Sequence, residues 1–299
     1  MREPPRVRLL PDGRRLHLQD GPIDIIAEAC GAVGEIKAAY HAAAHRFVTV
    51  LDELCGELPL LRQPWRADGP PPKGTIARRM AAAVAPYAEH NFITPMAAVA
   101  GAVAEEILGF MTAAANLSRA YVNDGGDIAL HLAPGQRLVA GMIEWPDCPW
   151  LFGTMTLEAA QPVRGVATSG WRGRSFSLGI ADAVTVLAGR AAMADAAATI
   201  IANAVDLPGH PRIVREPACN LAPDSDLGNR LVTRSVGELT GDEIAAALEA
   251  GSFVASSLIS DGLIHSAALH LCGQTRLVGV PSHPEIAAIP VQQGSLANA

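Results

Sequence analysis

Asp195 and Thr199 stand one helical turn apart in a run that is otherwise almost wholly apolar, Ala191-Ala192-Met193-Ala194-Asp195-Ala196-Ala197-Ala198-Thr199-Ile200-Ile201. Residues four apart share a helix face, so the carboxylate and the hydroxyl point the same way. A carboxylate in apolar surroundings is unfavourable unless its charge is compensated. A metal ion is one compensator, and oxygens from Asp and Thr suit a hard cation such as Mg²⁺. The alternative is a threonine bonded back to its own helix and an aspartate reaching water.

A second group lies in Tyr121-Val122-Asn123-Asp124-Gly125-Gly126-Asp127-Ile128. Gly125 and Gly126 let backbone approach a ligand, which Asn123 and Asp127 could bracket with amide and carboxylate. The same pattern reads equally as an ordinary hairpin, because Asp-Gly and Gly-Gly supply positive φ. A third group, Ala167-Thr168-Ser169-Gly170, ends a strand and opens a loop carrying Arg172 and Arg174. Hydroxyls, free loop N–H groups and guanidinium groups suit a phosphate or pyrophosphate, although surface arginines are also simply solvated. No histidine accompanies Ser169 locally, so a Ser-His-Asp assignment has no support.

Other combinations point to structure. His41 and His45 are one turn apart, but Ala42 stands where a zinc protease needs glutamate. Gly69-Pro70-Pro71-Pro72-Lys73-Gly74-Thr75 is not a phosphate loop, because three prolines remove the required N–H donors.

These groups need elements to hold them. Arg6–Leu10 and Arg15–Leu18 around Asp12-Gly13 predict a hairpin. A helical pattern is expected from Pro22 to about Leu61, then an exposed connection over 63–75 and a short helix over Ile76–Ala88. Thr94-Pro95 reads as a hydroxyl cap with proline at the first helical position, opening a small-residue-rich helix through Ala115. Ser118–Val122, Ile128–Leu132, Gln136–Ile143, Leu151–Leu157 and Arg164–Ala167 read as strands of one sheet, and Ala183–Ala188 leads into the Asp195 helix. Beyond Pro208, a strand is expected at Arg212–Arg215. Thr240 and Glu243 form a capping box for a helix to about Ser257. Leu263–Cys272 and Thr275–Val280 make a closing hairpin on Gly273-Gln274. The expected class is α+β, a large mostly antiparallel sheet flanked by helices, in one domain over 1–285, or two lobes of it with a loop at 63–75, and a flexible tail over 286–299.

Composition sets the outer bounds. The 299 residues are 49% hydrophobic and 18% charged, with a net charge of −7, which argues for a globular chain and against a general nucleic-acid binder. The apolar stretches around 97–104 and 191–205 read as too short and Ala-rich to span a bilayer. Five scattered cysteines fit reduced thiols. With no signal-peptide pattern at the start, the expected location is cytoplasmic. The Ala-rich helix faces leave room for a homodimer contact.

Taken in order, Asn123–Asp127 with its double glycine, Val166-Ala167-Thr168-Ser169-Gly170, and Asp195 with Thr199 resemble the superfamily of ApbE-type FAD:protein FMN transferases. The Thr94–Glu106 helix, the phrase Ser177-Leu178-Gly179-Ile180-Ala181-Asp182 and the closing helix-hairpin are similar to a soluble, uncharacterised branch of it. The resemblance covers roughly residues 5–285. It implies an ApbE-like fold, FAD or FMN as ligand, and Mg²⁺ held by Asp195 and Thr199 with a main-chain carbonyl near Ala98. It also implies a flavin site drawn from Asn123, Gly125, Gly126, Asp127, Thr168, Ser169, Gly170, Arg172 and Ser177. A cation on the pyrophosphate would ease cleavage of the FAD phosphoanhydride and transfer of FMN to an acceptor hydroxyl.

Two departures stand beside it. Gly101 falls where the transferases usually carry a lysine. Their His-Ile-Ile-Asp-Pro segment has no imidazole here, only Ser177 and Asp182. The resemblance therefore implies either a Mg-dependent enzyme on FAD or a non-catalytic flavin carrier or accessory protein of a redox or cofactor-building pathway. A scaffold serving an unrelated small molecule is the third option.

Overall fold

Every strand pairing in the main sheet is antiparallel, and the strands lie side by side in the order they occur along the chain. The computed structural model describes residues 3–145, 148–279 and 287–288. Its elements are β1 (Arg6–Leu9), β2 (Leu16–Asp20), β3 (Ile23–Cys30), α1 (Val33–Leu61), α2 (Thr75–Val84), α3 (Val99–Ala114), β4 (Arg119–Asp124), β5 (Asp127–Leu132), β6 (Arg137–Trp145) and β7 (Cys148–Glu158). There follow β8 (Gly165–Ser169), β9 (Ala183–Ala188), α4 (Ala191–Ala204), β10 (Ile213–Pro217), α5 (Ala218–Leu221), β11 (Leu231–Val236), α6 (Gly241–Ser260), β12 (Ser266–Leu271), β13 (Gln274–Val278) and β14 (Ala287–Ala288). Nine strands form the order β1-β2-β3-β4-β5-β8-β9-β12-β13. Helices α1–α3 are inserted between β3 and β4, and α4–α6 between β9 and β12. The fold is α+β, as expected.

One face of the sheet carries the helices. Ile23, Ile25, Ala27 and Ala29 of β3, Ala120 and Val122 of β4, and Ala129 of β5 pack there with α1, α3 and α4 in the main core. The other face holds a smaller cluster, in which Leu130, Val166 and Ala268 meet Met155 and Leu157.

The structure corrects the expected boundaries in three places. Ile23–Cys30, read as the start of a helix, is a strand. Its buried residues alternate, the period of a sheet rather than a helix, and an alanine-rich helix immediately after it masks that period. The segments at β6 and β7 do not continue the main sheet. They pair with each other and, through β7, with β14, in a separate sheet, so β8 pairs directly with β5. Finally, the closing hairpin turns on Cys272-Gly273, both at positive φ, one residue earlier than expected. The capping box at Thr240 and Glu243 is present, and 63–74 is a connection without helix or strand. The expected tail over 286–299 lies outside the described residues apart from β14.

Two helical spans, Pro95–Ala114 and Gly241–Ser260, are apolar and long enough to cross a bilayer by composition, which sequence reading did not anticipate. The first is half buried in the core, and its Glu105 and Glu106 are ion-paired to Arg79 of α2, both at 3.0 Å. That is how a core helix behaves.

Candidate functional site

The double-glycine motif is a two-residue hairpin between β4 and β5. Gly125 and Gly126 take φ of +66° and +116°, which only glycine adopts without strain. A turn of this length makes its flanking residues direct cross-strand partners, and Asp124 pairs with Asp127. Partners across a ladder share a face, here the helix-bearing face of Val122 and Ala129. Asn123 therefore points the other way, and its Oδ1 accepts the Gly126 N–H at 2.8 Å. Its visible task is to fix the turn.

Helix α4 brings Asp195 to the same place. Neither α3 nor α4 has a side-chain cap from its own N-cap residue; each is capped by the other helix. Asp195 Oδ2 accepts the Gly101 N–H of α3 at 3.0 Å, and Glu105 Oε1 of α3 accepts the Ala192 N–H of α4 at 2.9 Å. The helices meet so closely that a Cβ on Gly101 would lie 2.4 Å from the Ala191 carbonyl oxygen. No side chain has room at position 101 of this crossing. Thr94, expected as the cap, donates its hydroxyl to Asp226 instead, and Pro95–Ala98 forms a 3₁₀ turn before α3.

Asp124, Asp127 and Asp195 act on one another's charge. Burial pushes the Asp124 carboxyl up to about 7, with Arg174 as the cation opposing it. Burial also raises Asp195 to about 7, reinforced by Asp124 and opposed by the N–H groups of Gly101 and Ala100. Burial, then Asp195, then Asp124 raise Asp127, while the Thr168 N–H opposes the rise. Asp127 and Asp195 keep some exposed surface, yet protein surrounds both carboxylates. Asp195 is thus partly compensated by a helix N-terminus, and the group as a whole carries more acid than the described residues neutralise.

Arg174 is the nearby cation. Its Nη2 lies 3.9 Å from Asp124 Oδ1 with the side chain 58% exposed. The guanidinium fills the space over Gly125 that a Cβ would need. Arg172, read with Arg174 as a phosphate binder, faces Asp182 and Trp171: Nε donates to buried Asp182 at 2.8 Å, and the guanidinium stacks on Trp171.

The remaining expected residues divide. Thr168 donates its backbone N–H to Asp127 Oδ1 at 3.3 Å, while its hydroxyl meets Thr185 at 2.9 Å. By strand alternation from Gly165, the partner of Ala129, Ser169 lies on the helix-bearing face. Gly170 packs on the backbone of Ala181 and Asp182. Ser177 lies away from the acidic group: its hydroxyl bonds Asn203 near the C-terminal end of α4 and accepts the Gly179 N–H. Thr199 is half-buried one turn beyond Asp195. Thr112 and Ser252 back-bond to carbonyls four residues earlier; among the described residues no such bond is made by Thr199. Ala98 is the residue at the N-cap of α3.

Sequence reasoning passed over Asp124 and Glu105, and read Arg172 and Arg174 as equivalent. The signal for Asp124 was present, because a two-residue turn forces its flanks onto one face. Glu105 had none, since its partner lies far along the chain.

A family model described as AbpE bacteria matches residues 7–277. A UPF0280 protein of Methanopyrus kandleri is 41% identical over 129 residues, 43% of this chain and 48% of that protein. A UPF0280 protein of Methanothermobacter thermautotrophicus is 37% identical over 173 residues, 56% of this chain and 63% of that protein. The chain spans about half the length of the curated relatives it matches. Among solved structures, a mutant of flavin transferase ApbE from Vibrio cholerae overlays with a TM-score of 0.35 at 12% identity, covering 91% of this chain and 95% of that one. The apo flavinyl transferase ApbE of Pseudomonas stutzeri gives 0.32 at 13%, covering 84% and 73%. Neither overlay is close enough to transfer the position of a residue.

Proposed function

Since the chain belongs to the AbpE bacteria family, we propose that it binds a flavin nucleotide at the Asp124–Asp127–Asp195 cluster and cleaves the FAD phosphoanhydride with a divalent cation. The observation that carries this is the meeting of Asp127 and Asp195, from two motifs far apart in the chain, in one over-acidic, buried place.

The donor set fits Mg²⁺. All the available groups are oxygens, as a hard cation prefers. Among the described residues no three acidic, histidine or cysteine side chains are arranged to hold an ion by themselves; Mg²⁺ commonly takes one or two carboxylates and completes its shell with water and phosphate. Bound there, the cation would offset charge on the phosphoryl oxygens as the anhydride breaks.

The protein's own part is positional. Gly101 anchors Oδ2 of Asp195, and the Ala100 N–H helps to hold the same carboxylate. Thr199 offers a hydroxyl one turn away, and the Ala98 carbonyl lies just before the helix that Asp195 caps. Arg174, over the double-glycine turn, is placed to meet a phosphate. In this reading Ser169 contributes from the same face, Gly125 and Gly126 admit the ligand, and Asn123 and Thr168 hold the turn and Asp127 in place.

A second reading, a flavin carrier without turnover, is favoured by the Gly101 contact, which excludes a lysine from the site. The test supplies FAD and Mg²⁺ to the purified protein and follows FMN release or transfer, with Asp195→Asn as comparison. Turnover lost in the variant supports the enzyme. Flavin bound at a fixed ratio without turnover selects the carrier, and absence of flavin affinity removes both.

A further inference from the structure

The other face of the sheet holds a cavity of about 420 Å³, within the size range of small-molecule sites. It is lined by Arg14, Glu28, Cys30, Arg119, Tyr121, Arg137, Leu138 and Val139, from β3, the start of β4, the start of β6 and the turn before β2. Arg119 and Tyr121 differ in strand parity from Val122 and Asp124, so this cavity and the acidic cluster lie on opposite faces and at opposite ends of β4.

Its charge is unbalanced. Arg14 is paired with Glu28 at 2.5 Å. Arg119 donates to the Arg137 carbonyl at 3.1 Å and to the Cys30 sulfur at 3.4 Å, and among the described residues it has no carboxylate partner. Arg137 is exposed, and among the described residues its guanidinium has no partner. Three guanidinium groups against one carboxylate stand out in a chain whose net charge is −7. Tyr121 donates its hydroxyl to Glu28 at 3.4 Å. Burial, reinforced by Glu28, pushes that phenol up to about 12, so it remains a donor. The Tyr121 ring with Leu138 and Val139 supplies an apolar wall.

We propose that this cavity binds a small organic polyanion, a compact molecule carrying a phosphate or several carboxylates. Arg119 and Arg137 take the anionic group, since guanidinium forks match planar and tetrahedral oxyanions. The tyrosine ring and the aliphatic wall take the organic body. The site is independent of the flavin reading.

Calorimetric titration of the full chain with AMP, citrate and inorganic phosphate tests this, at low and at raised salt. At least one of the two organic anions should bind, more tightly than inorganic phosphate, and AMP against citrate tells a phosphate from a carboxylate ligand. Arg137→Ala and Arg119→Gln should each weaken that binding by about tenfold or more, the scale of a lost charge-assisted hydrogen bond. Arg137→Lys should restore part of it, and raised salt should weaken it. Arg137 is exposed and, among the described residues, unpaired, so its variants keep the fold even where Arg119→Gln does not. The proposal is overturned by no binding of either organic anion, by binding indifferent to Arg137→Ala, or by inorganic phosphate binding as tightly. Binding abolished by Asp195→Asn would also overturn it, because the anion would then sit at the acidic cluster.

Discussion

The two ends of β4 carry opposite charges and treat them differently. At the Asp124 end, three carboxylates lie among helices, and burial raises all three. At the Arg119 end, three guanidinium groups line an open cavity where water can solvate them. Six residues of strand, roughly 17–20 Å, separate a charge cluster that the fold strains to hold from one that it holds without strain. Burial thus decides what each end needs. The acidic end needs a counter-charge for stability, whereas the basic end needs one only to bind. Altering the acidic end should therefore change the stability of the whole protein, and altering Arg137 at the basic end should change affinity alone.

The largest effect is expected at the helix crossing beneath the acidic end. Gly101→Ala puts a methyl group against the Ala191 carbonyl, where backbone rather than a flexible side chain must move. Overpacking of this kind costs about 3 kcal/mol, while Arg137→Ala at the basic end should stay within about 0.5 kcal/mol. Urea unfolding of the two variants measures the contrast. Equal midpoints would mean that the crossing is loose and that the Asp195 cap does not depend on it.

Next comes the chemistry. Asp195→Asn keeps an oxygen to accept the Gly101 N–H, so the cap survives and stability should change by no more than about 1 kcal/mol. The charge is lost, and any Mg²⁺-dependent turnover of FAD should fall by about 100-fold or more, the scale of one removed electrostatic stabiliser. Paired rate and unfolding measurements separate the two roles. A rate that falls only as far as stability falls would reduce Asp195 to a cap.

What could be read from the sequence follows the same division between local and distant causes. The Thr240 capping box, the hairpin at Asp12-Gly13 and the pairing across Gly125-Gly126 are each written within a few residues, and each was legible. The mutual capping of α3 and α4 joins Gly101 to Asp195 and Ala192 to Glu105 across a long stretch of chain, and no local pattern announces it. Ile23–Cys30 was misread because its alternation is short and runs into an alanine-rich helix. Arg172 and Arg174 read alike in the sequence and differ in the structure because a buried Asp182, invisible as buried in the sequence, claims the first.

A smaller effect is expected in the pH dependence of stability. In the presence of a chelator, folded Asp124 and Asp195 titrate near 7, against about 3.9 in the unfolded chain. Between these values the folded protein binds more protons, so stability must fall as pH rises through that window. After relaxation of so crowded a group the change should be on the order of 2 kcal/mol. Mg²⁺ should raise the melting temperature more at pH 8 than at pH 5. Asp124→Asn should flatten the slope, and Arg119→Gln should leave it intact. A slope indifferent to Asp124→Asn would place the titration elsewhere.

The smallest effect should come from Arg174. Its guanidinium opposes the raised titration of Asp124 and Asp127, but it is 58% exposed and 3.9 Å away. An exposed pair at that distance is worth about 0–1 kcal/mol, so Arg174→Ala should barely alter stability near pH 5, where the carboxylates are largely protonated. Above pH 7 it should destabilise slightly and move the titration of Asp124 upward, since the cation that opposes its rise is gone. Carboxyl-carbon NMR across the pH range reads that movement directly. A downward movement, or none, would mean that the arginine is held over Gly125 by packing alone, and that the acidic end depends on a ligand for all of its counter-charge.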